Sequence, residues 1–181
     1  TQGLTEQYLG DWLTHSGRRQ DVVLATKVTG GDGNNSGFDY IRGGPRLNRK
    51  QIFQALDDSL RRLQTDYIDL YQVHWPERPA NIFGRSAPSD YSLTDYTPID
   101  ETWQALNDLV KQGKVRHIGV SNETPWGLMQ YQAAADAGHG APIVSIQNPY
   151  NLLNRQFEVS LAEWSINERI GLLAYSPLAF G

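Results

Sequence analysis

A chain of 181 residues, 39% apolar and 20% charged, is long enough to bury a core of its own. The absence of cysteine excludes a disulfide scaffold, a Cys-ligated zinc, an iron–sulfur cluster and a thiol nucleophile. Sixteen Lys and Arg against twenty Asp and Glu give a net charge of −4 with no basic block, which argues against a nucleic-acid surface. No apolar run approaches the roughly 18 residues of a membrane helix, and Thr1–Leu13 is polar and amphipathic rather than signal-like, so a cytoplasmic protein is expected.

Taken in chain order, Leu4–Thr14 reads as a helix that ends at Gly17. Val22–Val28 is the first of five short β-branched or aromatic runs; the others are Tyr67–Trp75, Val115–Asn122, Ile143–Gln147 and Gly171–Leu178. Their length and composition predict strands buried on both faces. Helical patterns lie between them. Asn48 is placed to cap a stripe of Ile52, Leu56, Leu60 and Leu63, and Asp100 one of Trp103, Leu106 and Val110 that stops at Gly113. Thr124-Pro125 pairs an N-cap with proline at the first helical position, with Gly138 as the end, and Leu161 and Trp164 mark a further helix. The Gly-rich stretch Gly30–Gly37 lacks the GK[ST] of a phosphate loop and reads as a mobile connection.

Strand–helix alternation predicts a parallel α/β sheet, either a barrel or a doubly wound fold; no GxGxxG follows a strand, which weighs against a dinucleotide site of the doubly wound type. Polar residues gather where the strands end: Lys27, His74, Ser121 with Asn122, Gln147 with Asn148, and Tyr175 with Ser176. Five such ends favour the C-terminal rim of a (β/α)₈ TIM barrel, where chemistry is carried. A full barrel needs about 250 residues, so five strands are expected to form a single partial barrel domain over residues 1–181, lacking the N-terminal strands and the C-terminal end. His15, His117 and His139 have no acidic partners at ligand spacing, and no metal is assigned.

The runs DLYQVHWP (Asp69–Pro76), GKVRHIGVSN (Gly113–Asn122), SIQNPYN (Ser145–Asn151) and LLAYSPLAFG (Leu172–Gly181) resemble the aldo-keto reductase superfamily in order and spacing, and VVLATKV (Val22–Val28) fits its lysine strand. The similarity is greatest to a bacterial Tas-like branch, near the potassium-channel β-subunit-like reductases. The resemblance implies a (β/α)₈ barrel that binds NADPH along its rim and reduces a small-molecule aldehyde or ketone, with no nucleic-acid or membrane partner. It implies that Lys27 and His74 are the lysine and histidine of an Asp–Tyr–Lys–His tetrad. Ser121, Asn122 and Gln147 would hold the nicotinamide carboxamide, Tyr175 would stack on its ring, and Ser176, Leu178 and Gly181 would approach the pyrophosphate. The tetrad's aspartate and tyrosine have no match in this sequence and are expected upstream of Thr1; Tyr8 does not replace the tyrosine. The 181 residues by themselves are therefore expected to be inactive.

The chemistry suits those residue types. A buried ammonium at Lys27 lowers the pKa of a nearby phenol, and an imidazole N–H at His74 orients a carbonyl oxygen. Two long connections, Thr29–Leu47 and Glu77–Ile99, leave the rim; the second is expected to wall the substrate pocket, with Trp75 in its floor. Two other classes remain open: a cofactor-sensing regulatory or partner-binding subunit with little turnover, and a lyase or aldolase using Lys27 as a Schiff base.

Overall fold

The computed structural model describes residues 3–31, 40–83, 92 and 94–180. Five strands form one parallel sheet in the order of the chain: β1 (Ala25–Val28), β2 (Ile68–Val73), β3 (Val115–Ser121), β4 (Ile143–Pro149) and β5 (Gly171–Tyr175). Helices precede and separate them: α1 (Leu4–Ser16), α2 (Arg49–Leu63), α3 (Ile99–Lys111), α4 (Pro125–Gly138) and α5 (Phe157–Asn167). Right-handed crossovers are the rule between parallel strands, and with no reversal of strand order they place the crossover helices on one face of the sheet. A doubly wound sheet requires a reversal; this one is a sector of a (β/α)₈ barrel.

Local chemistry explains the elements. The Asn48 side chain accepts the Gln51 N–H at 3.0 Å and starts α2, whose Ile52, Leu56 and Leu63 are buried. Thr124 accepts the Gly127 N–H at 3.4 Å and starts α4 with Pro125 at its first position. Two expected ends differ. Pro98, not Asp100, occupies the N-cap of α3 with no side-chain bond, and Asp100 and Glu101 sit in the first turn, where their charges suit the helix dipole. The left-handed residue closing α4 is His139 (φ 46°); Gly138 is the last helical residue, and a Cβ there would run into the buried Trp103 ring.

The core lies between sheet and helices, formed by Val28, Tyr71, Val73, Ile118, Val120 and Ile146 from the strands against Ile52, Leu56, Leu106, Leu109 and Leu128. The expectation of strands buried on both faces holds through β2 and most of β3 and β4 and fails at the flanks. Val23, just before β1, is 83% exposed and Leu173 of β5 is 42% exposed. Inward-facing side chains of a barrel are covered by strands across its axis, and a five-strand sector has none opposite.

The N-terminal end of the sheet is closed by Asp69. Its carboxylate accepts the Leu24 N–H at 2.9 Å and pairs with Arg19 at 2.8 Å and Arg116 at 2.7 Å. Both guanidiniums lie over the Tyr67 ring, 3.8 and 4.2 Å from its centroid. Burial raises the Asp69 pKa, but the Leu24 amide and the two arginines outweigh it and hold the carboxyl below its ordinary value.

Candidate active site at the C-terminal rim

Side chains alternate along each strand, so the register decides which rim residues meet. Lys27 is the Cα partner of Gln72, two residues before His74 on the same face, and the His74 N–H donates to the Val28 carbonyl at 2.9 Å. Lys27, His74 and Trp75 line one open cavity of about 760 Å³ that runs past the edge of β1 to Glu6 of α1 and Asp58 and Arg62 of α2. Burial lowers the pKa of Lys27. Burial, reinforced by the Lys27 ammonium, pushes His74 down to about 4, so the imidazole is neutral at pH 7. Lys27 has no carboxylate partner among the described residues.

A second group centres on Asn122, held at φ 55° just past β3. Its amide donates to the His74 carbonyl at 3.0 Å and to Ser121 Oγ at 3.1 Å, and its Oδ1 accepts the Tyr175 hydroxyl at 2.7 Å. Ser121 Oγ and the Asn122 N–H both donate to the Gln147 carbonyl, at 2.7 and 3.0 Å. One side chain thus ties together the ends of β2, β3 and β5, while its own N–H reaches β4. Burial raises the Tyr175 pKa and keeps the phenol protonated. The Gln147 side chain makes no hydrogen bond among the described residues. Asn148 faces the other way, toward the helices, where its amide donates to the Glu123 carbonyl at 3.2 Å.

Other rim expectations fall apart from these groups. Ser176 (φ 52°) opens a turn whose carbonyl accepts the Ala179 N–H at 2.9 Å and the Asn151 amide at 2.9 Å. Leu178 is 79% exposed, and Gly181 lies outside the described residues. Of the long connections, residues 32–39, 84–91 and 93 lie outside them too, which takes in most of the Gly-rich stretch. Trp75 is buried, with its ring 4.3 Å from that of His74 and edge-on to Phe83 at 5.8 Å, so the connection after β2 touches the residue predicted for the pocket floor. Asn122 and Phe83 line a separate cavity of about 330 Å³ with Pro125, Asn148 and Phe157.

Sequence reasoning missed three buried charges at the rim. Glu77 accepts the Leu47 N–H at 2.5 Å, the Thr97 N–H at 3.0 Å and the Thr97 hydroxyl at 3.2 Å, and pairs with Arg46. Arg78 forks onto Glu123, at 3.1 and 2.5 Å, donates to Thr124 Oγ1 at 3.0 Å and lies over the Trp126 ring. No local signal marks them, because a charged residue after a strand ordinarily sits in a solvated loop. No group of three or more metal-binding side chains occurs among the described residues. No helix among them is long and apolar enough to cross a membrane.

Comparison with known proteins completes the picture. The model of the Aldo/keto reductase family matches residues 1–181. Protein tas of Escherichia coli (strain K12) is 53% identical over 184 residues, covering 100% of this chain and 52% of that protein. An aldo-keto reductase of Babesia bovis is 42% identical over 172 residues, covering 88% of this chain and 59% of its own. A crystal structure of an aldo/keto reductase from Klebsiella pneumoniae in complex with NADP and acetate superposes with a TM-score of 0.71 at 30% identity, over 98% of this chain and 50% of that one. The chain spans about half the length of the curated relatives it matches. A barrel sector with a polar rim, matched from its first residue to its last, places this chain in the aldo/keto reductase family.

Proposed function

We propose that this chain supplies the nicotinamide-facing rim and part of the proton-handling machinery of a cytoplasmic NADPH-dependent reductase of aldehydes or ketones. The observation that carries the reading is a neutral His74 facing the same cavity as the Lys27 ammonium. Carbonyl reduction needs a fixed electrophile, a donor on its oxygen and a positive field where alkoxide charge develops. A neutral imidazole donates its N–H without competing for the proton, and Lys27 supplies the field in a half-buried site.

The donor set suits a nicotinamide. The Gln147 amide is uncommitted among the described residues, and a primary carboxamide needs one donor and one acceptor. Asn122 spends both amide hydrogens on His74 and Ser121 and one lone pair of Oδ1 on the Tyr175 hydroxyl, which leaves one lone pair for a carboxamide N–H. The Tyr175 hydroxyl bond to Asn122 holds the Tyr175 ring at the same rim, where it would pack against the nicotinamide. Bound there, the reduced nicotinamide supplies the hydride. The Klebsiella pneumoniae aldo-keto reductase, 30% identical, has been crystallised with NADPH, which supports this choice of cofactor.

The test is single-turnover oxidation of NADPH by a panel of aldehydes and ketones in the full-length protein. His74→Ala and Lys27→Met should each slow hydride transfer by about 10²-fold or more while NADPH binding, followed by fluorescence, stays within a few-fold. Unchanged rates in both variants overturn the roles assigned. NADPH binding without turnover across the panel moves the assignment to the cofactor-sensing subunit. Borohydride trapping of a substrate on Lys27 moves it to Schiff-base chemistry.

A further inference from the structure

Two consecutive residues at the start of the connection after β2 hold opposite neighbours. Glu77 reaches back: its carboxylate takes the Leu47 N–H, the Thr97 N–H and hydroxyl, and Arg46. Those partners are the last residues of both long connections, the one after β1 and the one after β2. Arg78 reaches forward: it grips the Glu123 carboxylate, which also accepts the Thr124 N–H at 2.7 Å, and it binds the Thr124 hydroxyl that caps α4. Glu123 directly follows Asn122, and its carbonyl is tied to Asn148. Both ends of the Arg78–Glu123 pair are buried, with side chains 8% and 1% exposed.

A buried ion pair is a poor source of net stability, because desolvation offsets most of its attraction. What a bidentate fork does deliver is a fixed direction. We propose that Glu77 and Arg78 are positioning residues with divided duties. Glu77 fixes the end of the connection after β1 against the end of the connection after β2, the one expected to wall the carbonyl pocket, and Arg78 sets the turn that carries Asn122, which the reading above assigns to the cofactor's carboxamide. The division rests on the reductase reading above; the geometry of the two clamps does not.

The experiment uses the full-length protein and two readouts. Hydrogen exchange tests the clamps without any assumption about activity. Glu77→Gln should speed exchange at Leu47 and Thr97 and leave Thr124 and Gly127 as they are; Arg78→Met should do the reverse. Kinetics test the duties. Glu77→Gln should raise the carbonyl KM about tenfold with the NADPH Kd within twofold, and Arg78→Met should raise the NADPH Kd about tenfold with the carbonyl KM at saturating NADPH unchanged.

Arg78→Met leaves Glu123 buried without its partner and can cost folding. The double variant Arg78→Met with Glu123→Gln removes that problem. It should recover thermal stability while NADPH stays weakly bound. Recovery of both stability and NADPH affinity would show the pair to be structural only and overturn the proposal. So would one shared kinetic effect for Glu77 and Arg78, or exchange changes that do not separate. Wild-type protein that neither binds NADPH nor reduces a carbonyl overturns the reductase reading and with it the divided duties, leaving exchange to decide the clamps alone.

Discussion

The two ends of the sheet use the same kinds of residue to opposite effect. At the N-terminal end, Asp69, Arg19, Arg116 and Tyr67 form a closed set in which each charge meets its opposite and both guanidiniums stack on one ring. At the C-terminal end, Lys27 has no counter-ion among the described residues and the Gln147 amide is unbonded there. Below the rim, Gln72 Nε2 and Ser145 Oγ are buried without a hydrogen bond. Burying polar groups unpaired costs stability, and inward-facing groups of a barrel meet partners across its axis as well as any ligand. The closed end maintains the sector's shape; the incomplete end carries the groups proposed above for chemistry.

Asp69→Asn attacks the closed end and should have the largest effect on stability, about 3 kcal/mol by denaturant titration, because the mostly buried Arg19 loses its counter-ion, while the half-exposed Arg116 adds little. Asp69 also gives the comparison a pH signature. Its folded pKa lies below the ordinary 3.8, so its contribution is present above that value and is lost as the pH falls through it toward the folded pKa. Wild-type protein should therefore lose stability on that acid limb, and Asp69→Asn should flatten it; identical limbs would show that Asp69 is not the group responsible.

Gly119→Ala is next. A Cβ there would stand 2.6 Å from Ser145 Oγ and 3.1 Å from Gln72 Cγ, and overpacking of this kind costs about 2 kcal/mol. Adding Ser145→Ala should return part of that loss, since it removes the atom in the way; a fully additive double variant would refute this packing.

The smallest pair of effects sharpens the contrast within the site itself. Ser121→Ala deletes a hydroxyl that donates to the Gln147 carbonyl at 2.7 Å and should cost about 1 kcal/mol. Ser145→Ala deletes a buried hydroxyl with no hydrogen bond and should be close to neutral in a melting experiment. Equal losses at the two serines would mean that Ser145 is satisfied after all.

The fold was legible because its determinants are local. β-branched runs mark the strands within a few residues, and Asn48 and Thr124 cap helices through bonds that span three positions. The rim was legible for the same reason: a polar residue at the end of a buried strand is visible in the sequence, and Lys27, His74, Ser121, Gln147 and Tyr175 all end strands that formed. Glu77, Arg78 and Glu123 were not, because their partners lie 20 to 46 residues away in the chain, and an acidic or basic residue after a strand reads as a solvated loop. Asp100 misled because an acidic residue suits a first turn as well as a cap. The exposure of Val23 and Leu173 depends on what faces the sheet across the barrel axis, which no pattern within a strand reveals.

The central claim is that Lys27 and His74 share one partly dry cavity. Titrating the His74 ring nitrogens by NMR, in wild-type protein and in Lys27→Met, tests it most directly. Wild-type His74 should titrate near 4 and stay neutral through pH 7, and removal of the ammonium should shift its pKa upward while burial keeps it below the ordinary 6.5. A His74 that titrates near 6.5 in both proteins would contradict the account.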